Sequence, residues 1–211
     1  MFSKPRPAVM GAAVALALML GLSACQADSE AAPDSSASPS APSTPTIPPS
    51  PSASPTPEDP AEAAKAKNIA EAKQRYLEFQ EITTENAKKG KSPFSELMSG
   101  GYIGSSELQS QQQSFWEQYT ELKLKQVGEA NVEVVAVTKY EGDPLQKDVT
   151  GQRVHMKVCV DNSGKDVVRP DGTSAVQKGS PDRVLMKVTM QGQTQDGIWS
   201  VNEVTSTGEK C

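Results

Sequence analysis

The chain is short of the residue patterns that most chemistry requires. It has one histidine, His155, and three widely separated cysteines, Cys25, Cys159 and Cys211, with no paired metal-ligand spacing among them, so little argues for a structural or catalytic metal centre. A Gly-x-Gly-x-x-Gly turn, a P-loop and a Ser nucleophile elbow are all missing, which excludes the standard dinucleotide, nucleoside-triphosphate and hydrolase readings and leaves no cofactor expected. From Glu58 onward nineteen basic and twenty-three acidic residues are scattered with both signs mixed. No basic stripe argues for nucleic acid. The longest apolar run, Ala8 to Leu22, is fifteen residues, against the ~20 that a helix needs to cross the hydrocarbon core.

That short run is informative in its own setting. It follows Lys4 and Arg6 and ends in Leu22-Ser23-Ala24-Cys25, small residues rather than a basic flank. Residues 1–24 therefore read as a removable signal segment, not as a membrane anchor. Cys25 directly after Ala24 resembles the lipobox of bacterial lipoproteins, which implies a diacylglyceryl thioether on Cys25 and attachment to the extracytoplasmic side of the cell membrane. The simpler alternative is an ordinary secretory peptide with a chance cysteine. Two acyl chains matter for an anchor, because one chain binds only marginally.

Residues 25–60 form a different kind of segment. From Gln26 to Pro60 there are ten prolines and nine serines, with Ile47 as the sole large apolar side chain, so nothing offsets the entropy of ordering a core. The expectation is a disordered tether. At ~3.1 Å per residue in extended proline-rich form it reaches on the order of 100 Å at full stretch. Thr44, Thr46 and Thr56 sit beside prolines, in positions that a glycosylating host would use.

Residues 61–211 carry the folded domain. Asp59 as cap, Pro60 at the first helical position and Glu62 placed for a capping box start a helix that runs to Lys89. Ile69, Ala72, Tyr76, Phe79 and Thr83 recur at three-and-four spacing along one face. Ser92-Pro93 opens a short second helix stopped by Gly100-Gly101. Ser105 or Ser106 opens a third, to about Leu122, with Leu108, Phe115, Tyr119 and Leu122 as its buried face and Trp116 beside it. Period two and β-branched residues then predict strands at 131–140, 153–161, 183–191 and 198–205, with 122–128 as a short strand before them. Turns fall at Asp143-Pro144, Asn162-Ser163-Gly164, Pro170-Asp171-Gly172, Gly179-Ser180-Pro181 and Asp196-Gly197. Helices first and antiparallel strands after give an α+β class, one sheet with helices on one face.

With Cys25 lipidated, Cys159 and Cys211 remain as an even pair in an oxidising compartment. A disulfide is the default there, with two free thiols or a metal pair as alternatives.

The helix-then-sheet order is similar to the NTF2-like fold, a cone of helices and curved sheet. Val158-Cys159-Val160-Asp161-Asn162-Ser163, Gly197-Ile198-Trp199-Ser200-Val201 and the ending Gly208-Glu209-Lys210-Cys211 resemble the Cys-Val-Asp-x-Ser, Gly-x-Trp-x-Val and terminal-Cys pattern of small NTF2-like lipoproteins from actinobacteria. The resemblance covers about residues 65 to 211. It implies that Cys159 and Cys211 pair and that the cell is Gram-positive. It supplies no catalytic motif, and the segment from Val167 to Ser180 departs from the pattern as a long hairpin connection.

The same fold hosts proton transfer in ketosteroid isomerase and SnoaL-type cyclases, so the candidate acids and bases need placing. In the strand from Arg153 the apolar phase is Val154, Met156, Val158 and Val160; in the strand from Arg183 it is Val184, Met186, Val188 and Met190. Neither inward phase carries an ionisable group. Arg153, His155, Lys157, Arg183 and Lys187 fall on the other face, a candidate interaction surface for an envelope protein or for a second copy of the chain. Tyr140, Met156, Met186, Met190 and Trp199 are the candidate lining of a soft pocket for a small apolar ligand. Glu133 and Tyr140 sit on a strand whose apolar phase slips between Val134 and Val135, the mark of a bulge. Asp161 is placed for turn hydrogen bonds. The functional expectation is a non-enzymatic ligand- or protein-binding module; the alternatives are a SnoaL-like proton-transfer enzyme using Glu133 or Asp161, and a passive structural component of the envelope.

Overall fold

The structure, a computed structural model, describes residues 59–193 and 197–211. They belong to one of two units of the chain, Ala53–Cys211; the other, Met1–Ser52, lies outside the described residues, and so do the expected signal segment, Cys25, the tether up to Glu58 and the Asp196 side of one turn.

Three helices come first: α1 (Pro60–Lys88), α2 (Phe94–Ser99) and α3 (Ser106–Glu121). The Asp59 side chain accepts from the Ala61 N–H at 2.9 Å with Pro60 at the first helical position, as expected. Glu62 reaches Lys65 rather than closing a capping box. Lys89 caps the other end, and Gly90 follows with φ +65°, the left-handed geometry that favours glycine there. α3 is capped by Ser105, whose Oγ accepts from the Leu108 N–H at 3.1 Å. The face it buries is Leu108, Trp116 and Tyr119, so the expected face is corrected: Trp116 turns inward while Phe115 and Leu122 are exposed. Gln112 lies one turn before Trp116 on that face and accepts from the indole Nε1 at 3.0 Å.

Six strands follow: β1 (Lys125–Gly128), β2 (Asn131–Glu141), β3 (Arg153–Asp161), β4 (Lys165–Val168), β5 (Arg183–Gly192) and β6 (Trp199–Ser206). The α+β class holds, but there are two sheets rather than one. A four-stranded antiparallel sheet has the order β2-β3-β5-β6, and a separate two-stranded one pairs β1 with β4. β4 lies at the start of the stretch read as plain connection. The two strands of the smaller sheet approach closely at Gly128, where φ is +71° and a Cβ would sit 2.0 Å from the Gly164 carbonyl oxygen. Only glycine lets the two chains meet there.

The main core lies between α1 and one face of the four-stranded sheet. Ala72, Tyr76 and Phe79 of α1 meet Val154, Met156 and Val158 of β3, Val188 and Met190 of β5, and Trp199 and Val201 of β6. At about 1.5–3 kcal/mol per fully buried large side chain, this layer is the main favourable term of the fold. A second cluster packs Ala87, Trp116 and Tyr119 against Phe94, Leu124 and Val167, which places β4 over the far end of α1. β2 carries the expected bulge at Val135, between register pairs Val134 and Ala136, and a second between Val137 and Lys139.

Cys159 and Cys211 form a disulfide, with Cα atoms 5.8 Å apart and a sequence separation of 52. The C-terminal segment continues along β5: the Leu185 N–H donates to the Glu209 carbonyl at 2.9 Å, and the Thr207 N–H donates to the Leu185 carbonyl at 3.0 Å. Leu185 and Cys159 are thereby buried although they belong to the sheet's outer phase. Closing a loop of this length removes about 4 kcal/mol of denatured-state entropy. Replacing both cysteines by serine is therefore expected to lower the unfolding free energy by roughly 2–4 kcal/mol in urea titration, with a slope that is unchanged or steeper because the unfolded chain expands; an unchanged midpoint would contradict the assigned role of the bridge.

Candidate functional site

The inner face of the sheet is packed rather than open. Met156, Met190 and Trp199 are 3% exposed or less, wedged among Tyr76, Phe79 and Val201. Met186 is half-buried against the same cluster. Four of the five expected pocket residues are thus core or core edge, and neither of the two clefts found among the described residues is lined by them. Their apolar character is explained by packing: methionine fills irregular gaps between branched residues.

Tyr140, the fifth, belongs to a buried polar network at the end of this core. Asn68 of α1 donates through Nδ2 to the Tyr140 hydroxyl at 2.9 Å and to Gln152 Oε1 at 3.0 Å. The Tyr140 hydroxyl also donates to Gln152 Oε1, and Gln152 Nε2 donates to the Asp148 carbonyl at 2.9 Å. Gln152 is 1% exposed, yet its amide is bonded at both ends, so the network closes the core without an orphaned group at its centre. The second bulge of β2 is what turns Tyr140 inward, opposite Val154. Glu133 pairs with Cys159 on the outer phase and is exposed. Asp161 caps its turn, accepting from the Ser163 N–H at 3.0 Å; that hydrogen bonding, with Arg183 at 3.7 Å, holds its carboxyl below the usual range. Both expected proton-transfer carboxylates therefore sit away from the inner face.

Sequence reasoning missed Asn68, Gln152 and Arg75. Asn68 sits one turn before Ala72, so a polar residue on an apolar helical face was its only signal. Arg75 neighbours Tyr76, and nothing in sequence marks its partners. Its guanidinium donates to the Trp199 carbonyl at 3.2 Å and to the Gly100 carbonyl, pairs with Glu78 and lies 3.5 Å from the centre of the Tyr102 ring. It joins α1, the turn after α2 and the start of β6 in one contact set.

The outer face of the four-stranded sheet carries the residues read as an interaction surface, and the structure brings them onto one plane. Their charges are less one-sided than the sequence suggested. Glu141 forms an ion pair with Lys139, which holds its carboxyl below the usual range, and approaches His155 Nε2 at 3.5 Å. His155 Nδ1 faces Thr189 Oγ1 at 3.3 Å. Arg183 is matched by Asp161, and Arg153 stands opposite Glu141 in the register. Lys157 and Lys187 are the exception. They are direct register partners on adjacent central strands, flanked by Ala136 and Thr205, and no carboxylate among the described residues pairs with either. Like charges placed opposite one another oppose the fold slightly.

Two open clefts flank the sheet's edges. One, about 300 Å³, lies between the start of α3 and β6; the other, about 290 Å³, lies between α1 and β2, lined by Leu77, Glu81, Glu85, Lys88, Glu129 and Val132 among others. Among the described residues no cluster of three or more His, Cys, Asp or Glu is arranged to hold a metal ion, and no helix is long and apolar enough to cross a membrane.

No protein-family model matches the chain. Neither does any curated protein. Among solved structures it is similar to the crystal structure of the intermembrane space region of the chloroplast protein ARC6, at 11% identity and a TM-score of 0.36, over 71% of this chain and 98% of that one. A likeness at that level assigns neither fold family nor function, and the site has to be judged on its own geometry.

Gln152→Ala is expected to cost about 2 kcal/mol in urea titration, because it leaves the Tyr140 hydroxyl without its acceptor and the Asn68 amide with Tyr140 alone; a loss under 1 kcal/mol would show that the network does not hold this end shut. Acid should weaken the fold as well. Glu85, Glu141, Asp148, Asp161 and Asp171 are all held below their ordinary values, by Lys88, by Lys139 and, for the three aspartates, by turn hydrogen bonds. The unfolded chain then binds more protons, so their contribution is complete above the ordinary carboxyl range and is lost as pH falls below about 4. Denaturant midpoints at pH 7 and pH 3 should show a clear drop, and equal midpoints would refute it.

Proposed function

We propose that the chain is a membrane-anchored extracytoplasmic lipoprotein whose NTF2-like domain binds other envelope proteins and performs no chemistry of its own. The observation that carries the binding reading is the Lys157–Lys187 pair. Two adjacent cations stand on the uncovered face of the central strands with no carboxylate matched to them, at a small cost to the fold, whereas Lys139 with Glu141 and Arg183 with Asp161 are paired on that face. Charge left unneutralised in the middle of a sheet face suits an acidic partner surface. It suits a homodimer through the same face poorly, since a twofold contact centred there would bring four lysines together.

The anchoring part rests on the Lys4 and Arg6 flank, the fifteen-residue apolar run and Cys25. The cone part rests on the order of helices and sheet and on the disulfide between Cys159 and Cys211. A proton-transfer enzyme would need Glu133 or Asp161 against the inner face, and both lie on the outer phase or at the strand end. A passive envelope component would give no saturable partner.

Two measurements test the reading. Cys25→Ala is expected to move the protein from the membrane fraction to the medium after signal cleavage; full retention would sink the anchor. Proximity labelling on intact cells should enrich a partner that is lost from the Lys157→Glu/Lys187→Glu variant, and no difference between the two proteins would remove the outer face from the proposal.

A further inference from the structure

We infer that the cleft between α3 and the free edge of β6 takes an extended, lysine- or arginine-bearing peptide as an added strand. This deepens the protein-binding reading and rests on it.

The first half of that edge is already used in this way. Tyr102–Gly104 runs parallel to β6, with the Val201 N–H donating to the Tyr102 carbonyl and the Gly104 N–H donating to the Val201 carbonyl, both at 2.8 Å. The chain then leaves the edge, Ser105 Oγ donates to the Asn202 carbonyl at 2.6 Å, and α3 begins. Past that point the edge is uncovered. Leu185 directs both its backbone groups toward the C-terminal segment that continues β6, so Lys187 and Thr189 direct theirs toward Thr205 and Glu203. The backbone groups of Val204 therefore point the other way, into the cleft, and so do those of Ser206 farther along the edge. Among the described residues, no group outside the sheet bonds the Val204 N–H or carbonyl. The extra residue at Asn202, opposite the step from Thr189 to Met190, is what allows Val201 and Val204 both to face outward.

The cleft has room and a sign. Its volume is about 300 Å³, the lower end for a bound ligand and shallow enough for a single extended chain. Leu108 and Val204 are its apolar lining, Glu107 comes to it from α3 and Glu203 from β6, and no Lys or Arg lines it. Backbone groups give affinity in such strand addition and flanking side chains give selectivity, here for cations. The chain's own tether is a poor occupant: Gln26 to Glu58 carries Asp28, Glu30, Asp34 and Glu58, no Lys or Arg, and many prolines that lack the N–H a strand must offer. The opposite edge of the sheet, β2, is broken by two bulges and offers no such straight run.

The test uses the full oxidised chain in detergent and two acetylated, amidated nine-residue peptides, one alternating lysine with threonine and one alternating glutamate with threonine. Backbone NMR should show the lysine peptide slowing amide exchange at Val204 and Ser206 at least tenfold at saturation, and the glutamate peptide leaving it unchanged. Glu107→Gln/Glu203→Lys, two exposed changes whose melting temperature is measured alongside, should weaken binding at least tenfold. Val204→Pro should abolish it by removing the edge N–H. Equal binding of both peptides, binding without slowed exchange at Val204, shifts confined to the Glu81, Glu85 and Glu129 cleft, or a dimer formed through β6 would each overturn the proposal. Absence of lysine-peptide binding while the Lys157- and Lys187-dependent partner is still captured would refute the cleft alone; loss of both would refute the binding reading with it.

Discussion

Everything in this domain hangs on one alternation. In β3 and β5 every second residue is branched or a methionine and points to one side, and α1 lies across that side. Because successive side chains of a strand must face opposite ways, the same pattern that builds the core strips its inner face of ionisable groups and sends the charges outward. The packed interior and the charged exterior are one fact seen from two sides. Chemistry on the inner face would have required breaking the alternation, and where the bulged β2 does so it brings in a tyrosine that is at once tied to Asn68 and Gln152.

Three devices hold the periphery to this centre. Arg75 binds carbonyls from two remote turns, the Asn68 network closes one end, and the bridge from Cys159 to Cys211 pins the last strand's extension over Leu185. None of them adds much apolar area. Each fixes where a segment without its own core can lie, and this matters in a small domain, whose buried fraction leaves little margin. The surfaces left over are the ones free to meet other molecules: the outer face around Lys157 and Lys187, and the half-covered edge of β6.

Much of this was legible in the chain. Period-two patterns in 153–161 and 183–191 gave the strands and their inward phases residue for residue, because alternation over nine or more positions leaves little room for error. The helix starts were legible through Pro60 and Ser105, and the slip at Val134 and Val135 gave the bulge. What escaped had physical reasons. β4 is four residues long, too short for a period, and the close approach beside it depends on the missing Cβ of Gly128. Trp116 and Phe115 are adjacent, and one residue of helical phase separates a buried face from an exposed one; the Gln112 amide that receives the indole decides it. The buried amides were invisible because Gln152 precedes its strand and finds its partners 84 and 12 residues away. The expected pocket failed for a simpler reason, that an apolar lining and an apolar core have the same sequence.

The reach of the Arg75 contact also bears on how the chain assembles. Arg75 and the Trp199 carbonyl are 124 residues apart, and Asn68 waits 84 residues for Gln152. α1 emerges first and its partners last, so a chain delivered from its N-terminus holds Tyr76 and Phe79 uncovered until the final strands arrive. Such separation slows collapse to the native topology and lengthens the interval in which apolar surface is open to misassociation. The helix that anchors the finished core is thus the element most exposed to wrong partners during folding, and the hydrophilic residues on its other face, Glu62 and Lys65 through Glu85 and Lys88, are what keep it in solution while it waits.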